Sequence, residues 1–125
     1  MDIKVYGLIT NELLTVLPQE WKQVIFYGEL TEGGFSFDYY VNIEGDLFTQ
    51  CFKLEGVDRG DILNTFRKIY CIILPLWKSL DKGKQWSNFT FILNRSGVFK
   101  AEFDYTNLQE NAYAYYQKWR ERYLK

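Results

Sequence analysis

The 125-residue chain has no histidine, two cysteines and two prolines, and no apolar run long enough to cross a bilayer. Each shortage excludes something. Without histidine there is no Ser-His-Asp or Cys-His relay, no His-Glu-x-x-His zinc site and no two-histidine metal centre. Cys51 and Cys71 form no Cys-x-x-Cys pair and are too few for a disulfide framework, so both read as reduced, small core residues. No Gly-x-x-x-x-Gly-Lys-Ser/Thr loop or Gly-x-Gly-x-x-Gly turn is present to cradle phosphate. The longest apolar stretch, residues 69–77, is interrupted by Tyr70, Cys71 and Pro75 and falls short of the roughly 20 residues a membrane span needs. The opening Met1-Asp2-Ile3-Lys4 lacks the charged and apolar regions of a signal peptide, so a soluble, cytoplasmic protein is expected.

What is present is aromatic: Phe, Trp and Tyr make up 19% of the chain, enough to predict a core built from large rings. Residues 86–105 show the pattern most clearly. Phe89, Phe91 and Leu93 share one face of a strand, Asn94-Arg95-Ser96-Gly97 turns the chain, and Phe99, Ala101 and Phe103 share one face of the return. Asn88, Thr90, Lys100, Glu102 and Asp104 fall on the other face, which is expected to be wet. Upstream, residues 21–30 read as a strand through Val24-Ile25-Phe26-Tyr27. Residues 35–43 alternate as a half-buried strand after the Thr31–Gly34 turn, and 47–54 return as a third. Ile3, Tyr6, Ile9, Leu13, Val16 and Leu17 fall at helical spacing before Pro18. Asp58 is placed to cap a second helix, which Pro75 should end or kink. Asn107 and Glu110 predict a capping box for a last helix over 108–124, with Tyr113, Tyr116, Trp119 (or Arg120) and Tyr123 on one stripe. The expected fold class is α+β: an antiparallel sheet of about five strands in the order α-βββ-α-ββ-α, with helices packed on one face. Residues 1–125 read as one domain.

The net charge of −1 hides a split. Residues 1–57 carry nine acids against three lysines, and residues 58–125 carry seven acids against twelve Lys or Arg. Glu29, Glu32, Asp38, Glu44 and Asp46 fall in the first two strands and their turns, and Glu102 and Asp104 lie on the wet face of the last strand. One reading is ordinary solvated turns. The other is an acidic surface, including Tyr27 and Tyr40, that meets a basic partner and gains speed of encounter from complementary charge.

Glu102 and Asp104, two apart on a strand, point the same way and could run acid–base chemistry or hold a divalent ion, but no other residue completes such a site at a recognisable spacing. Lys118, Arg120, Arg122 and Lys125 make the end of the last helix basic beside Tyr115, Tyr116 and Trp119. A helix dipole favours cations there in any case, and a pI near 5.5 does not fit a dedicated nucleic-acid binder. The aromatic stripe reads as core before it reads as a base-stacking platform.

Several segments in order resemble the YezG-like immunity proteins. They are Leu17-Pro18-Gln19-Glu20-Trp21-Lys22 before an aromatic strand, Glu32-Gly33-Gly34 in the first turn, Trp86-Ser87 opening a strand, Ser96-Gly97-Val98-Phe99-Lys100, and Phe103-Asp104-Tyr105 before a Tyr/Trp-rich helix. The similarity runs over residues 12–124, although Ile72-Ile73-Leu74-Pro75 replaces the more charged helix such proteins lead one to expect. The resemblance implies a cytoplasmic antitoxin, encoded beside a bacterial polymorphic or contact-dependent toxin. Such a protein binds the toxin's C-terminal domain, often a nuclease, and blocks it without catalysis, cofactor or metal. No site residue transfers from the family. The residues themselves nominate Glu29, Glu32, Asp38, Tyr40, Glu44, Glu102 and Asp104 as partner contacts, with neither nucleic acid nor membrane as partner. A small carboxylate-based or metal-dependent enzyme, and a generic adaptor, stand as the alternatives. Self-association and strand order are left open.

Overall fold

Four consecutive apolar residues, Val24-Ile25-Phe26-Tyr27, sit in the central strand β1 (Gln23–Thr31), and all four are buried. A continuous apolar run means a strand covered on both faces, and this decides the architecture of the computed structural model, which describes residues 3–124. β1 pairs on one side with β2 (Gly34–Asn42), from Gln23 opposite Asn42 to Thr31 opposite Gly34. On its other side it pairs with β4 (Asn88–Asn94), from Gln23 opposite Asn94 to Glu29 opposite Asn88. β3 (Phe48–Gln50) and β5 (Phe99–Asp104) are the edges, giving the antiparallel order β3-β2-β1-β4-β5. The late hairpin thus joins the meander at β1. β3 is shorter than its sequence pattern because the Gln50 side chain accepts from the Phe52 amide and starts a 3-10 turn over Cys51–Lys53.

Two helices, α1 (Ile3–Leu14) and α2 (Arg59–Lys78), cover one face, as expected. Ile9 and Leu13 from α1 and Ile62, Phe66, Ile69, Ile73 and Trp77 from α2 close over Val24, Phe26, Tyr39, Val41, Phe89 and Phe91. Phe26 lies at the hub, its ring centroid 5.2–6.1 Å from those of Phe37, Phe66, Phe89 and Phe91. Gly28 makes the hub possible: a Cβ there would fall 2.2 Å from Phe89 Cζ. Asp58 caps α2 by accepting from the Asp61 amide at 3.1 Å. Pro75 does not end the helix, which continues to Lys78. Its ring is exposed, and beyond it Trp77 is buried with its indole donating to the Trp86 carbonyl at 2.8 Å, so burial of Trp77 offsets the missing amide bond.

Three expectations need correction. The helices do not all pack on one face: α3 (Ala112–Tyr123) crosses the opposite face, the one expected to be wet. That face carries Ile25, Tyr27, Tyr40 and Ile92 beside its hydroxyls and acids, more apolar area than water favours, and Trp119 seals it at 4% exposure. The α3 start moves from 108 to 112, because Asp104 and Asn107 accept from the Thr106 and Gln109 amides in successive Asx turns that compete with helix. Cys51 is buried as expected, but Cys71 lies on the solvent side of α2. Both are free.

Candidate partner-binding surface

α3 is held to the sheet by hydroxyls and rings. Trp119 donates its indole N–H to Thr90 Oγ1 at 2.8 Å, and its ring packs on Tyr27 (4.7 Å), Tyr116 (5.6 Å) and Tyr123 (5.3 Å). Tyr115 donates to Asn88 Oδ1 at 3.1 Å, Tyr116 to Asp38 Oδ2 at 2.7 Å, and Tyr123 to Glu102 Oε1 at 3.0 Å. The helix therefore reads β4, β2 and β5 in turn, one polar contact at a time. Because the single Tyr116 proton goes to Asp38, its oxygen accepts from Tyr40 at 2.5 Å, which makes a relay Tyr40–Tyr116–Asp38. Gln50 Nε2 (3.0 Å) and the Cys51 thiol (3.3 Å) donate to the other oxygen of Asp38.

Burial, first of all, pushes the hydroxyls of Tyr27, Tyr40, Tyr115, Tyr116 and Tyr123 above the ordinary tyrosine range. Neighbouring carboxylates push the same way: Glu29 on Tyr27, Asp38 on Tyr116 and Glu102 on Tyr123. Burial likewise pushes the Cys51 thiol up to about 12, so this cysteine is no nucleophile.

Of the seven nominated contacts, four lie within or beneath this interface. Tyr40 is 4% exposed. Asp38 is half-buried at the end of the relay, and Glu102 is held by Tyr123 and flanked by Arg122 (3.7 Å) and Lys100 (3.8 Å). Asp104 is half-buried, its carboxyl held below the usual range first by Thr106 and then by Tyr115 and Asn88, with burial opposing them. Glu29 accepts from Tyr27 at 2.6 Å through one oxygen and stands at the margin of α3. Glu32 and Glu44 are exposed at opposite ends of β2, on the order of 30 Å apart. The seven are therefore not one open face. Among the described residues no group of three or more His, Cys, Asp or Glu side chains comes together in a way that could hold a metal. No helix is long and apolar enough to cross a membrane, again among the described residues.

Composition alone did not pick out the end of the sheet around the β1–β2 turn, where exposed aromatics gather. Tyr105 (60% exposed) and Tyr113 (77% exposed) lie at the two ends of the segment that links β5 to α3. Two hollows open there and share Glu29 as a lining residue. Tyr113 falls on the expected α3 stripe, yet only Tyr116, Trp119 and Tyr123 of that stripe turn to the sheet.

The family described as immunity protein YezG-like matches residues 3–124. The chain belongs to the YezG-like immunity proteins. The match takes in α3 and its dock as well as the sheet. Among curated relatives, the type VII secretion system protein EsaG of Staphylococcus aureus is 28% identical over 116 residues, covering 82% of this chain and 66% of that protein. The immunity protein YezG of Bacillus spizizenii is 25% identical over 116 residues, covering 82% of this chain and 68% of that protein. The chain spans about two thirds of the length of these relatives.

Proposed function

We propose that this YezG-like chain neutralises a cognate bacterial toxin by tight one-to-one binding in the cytoplasm, with no bond-making chemistry of its own. The observation that carries the reading is the family match through every described element, from α1 to the end of α3. The geometry supports it. Both faces of the sheet are filled, and among the described residues no buried side-chain nitrogen or oxygen lacks a partner. A rigid protein loses little freedom on binding, so more of its contact energy appears as affinity. The partner is the C-terminal domain of the toxin, and a nuclease fits best, because enzymes that grip phosphate are basic. Half-buried Glu29 and exposed Glu32 are proposed to face it, whereas exposed Glu44 lies at the far end of β2. Asp38, Tyr40, Glu102 and Asp104 act one step back by holding α3 in place.

The test is to mix the purified chain with the toxin domain encoded beside it, then measure the mass of the complex and the toxin's activity. A one-to-one complex with activity abolished is expected. No complex, or substrate turnover by the isolated chain, would overturn the proposal.

A further inference from the structure

The larger of the two hollows at the Glu29 end has a volume of about 400 Å³ and an aromatic floor. Trp77 and Trp86 form that floor, 6% and 5% exposed, with ring centroids 6.4 Å apart. They are fixed from below: the Trp77 indole donates to the Trp86 carbonyl, and Gln85 Nε2 donates to the Trp77 carbonyl at 3.1 Å. Tyr105 supplies an exposed aromatic wall, and Glu29 and Glu32 supply carboxylates. Among the described residues the only other charged one lining it is Lys82, so acids outnumber bases two to one. The Tyr27 hydroxyl engages Glu29 Oε2 and sets the orientation of that carboxylate.

Resting on the function proposed above, we infer that this hollow is the anchor for an arginine side chain of the protein partner. A guanidinium is planar, stacks on aromatic faces and pairs with carboxylates through forked donors. A lining with aromatic rings and two acidic residues against one lysine matches each of those properties. Buried, preorganised anchors of this kind dominate the energetics of protein interfaces, whereas charges spread along a rim mainly set the rate of encounter. The hollow therefore gives the acidic first half of the chain a specific task, one that its covered sheet face does not perform.

The probe is N-acetyl-arginine amide, titrated against the full chain while the indole N–H signals of Trp77 and Trp86 are followed by NMR. N-acetyl-citrulline amide, which is uncharged, is the control. Saturable shifts with the arginine compound only are expected. They should weaken about fivefold in the Glu29→Gln/Glu32→Gln variant and strengthen in Lys82→Gln. Gln at position 29 still accepts from Tyr27, and residue 32 is exposed, so the variant should fold; an unchanged urea midpoint checks this. No shift, or equal shifts with citrulline, would overturn the inference. The same variant is then tested against the toxin domain. If the parent chain binds it and the variant binds equally well, the anchor fails while the proposed function stands. If the parent chain does not bind it, the proposed function fails and the titration alone judges the hollow.

Discussion

Replacing Tyr116 with Phe tests whether α3 is held by hydroxyls or merely by its rings. The substitution keeps the packing on Tyr27 and Trp119, at centroid distances of 5.1 and 5.6 Å, and removes one oxygen. Two bonds go with it: the 2.7 Å donation to Asp38 and the 2.5 Å contact with Tyr40. A hydrogen bond to a charged acceptor contributes about 1.5–3 kcal/mol, and stranding a buried donor costs about 1 kcal/mol more. Asp38 is only half-buried and keeps Gln50 and Cys51 as donors, so the lower part of that range applies, about 2.5 kcal/mol in all. With a slope of about 2 kcal/mol per molar of urea, the unfolding midpoint should fall by about 1 M. A double-mutant cycle with Asp38→Ala, which removes the acceptor, should return a coupling of about 1 kcal/mol, because the pair shares one bond. A Tyr116→Phe midpoint within error of the parent, or additive effects in the cycle, would refute the relay.

Three further outcomes follow from the same structure. The interfacial tyrosines have folded-state pKa values raised, chiefly by burial, so the folded state holds its protons more tightly than the unfolded one. Stability should therefore be level from about pH 7 to 9 and fall above about pH 10, read as urea midpoints alongside phenolate absorbance; a midpoint that holds through pH 11 would contradict this. Gly28→Ala should cost about 1–3 kcal/mol because its Cβ would meet the Phe89 ring at 2.2 Å, and Phe89→Leu in the same chain should recover part of the loss in urea melts. Iodoacetamide should label exposed Cys71 in the native protein and spare Cys51 until unfolding, as read by intact and peptide mass.

The sheet was legible because its signals are local. Alternation in 35–43 and on both arms of the 86–105 hairpin fixed which residues face α1 and α2, and Asp58 announced the start of α2. The second face was misread because an interface made of tyrosine hydroxyls, carboxylates and amides has the composition of a solvated surface. Tyr40 and Thr90 look wet by residue type, yet each is 4% exposed. The overlooked signal was β1. Ile25 and Tyr27 sit among Val24 and Phe26 with no polar alternation, and Ile92 repeats the pattern between Phe91 and Leu93. A strand that is apolar on both sides needs cover on both sides, and the spacing of Tyr116, Trp119 and Tyr123 was the only helical stripe left to supply it. The anchor hollow left no such trace: it joins residues from α2, β1, the loop before β4 and the loop after β5, which no local pattern brings together.

The central claim is that α3 closes the second sheet face and stays closed, so that the partner approaches from the Glu29 end. Hydrogen–deuterium exchange of the chain, free and bound to the toxin domain, tests it directly. Binding should newly protect residues 28–34 and 104–109 and leave the α3 amides unchanged. Loss of protection along 112–123, with new protection across 38–42, would show that the helix lifts away and that the partner takes its place.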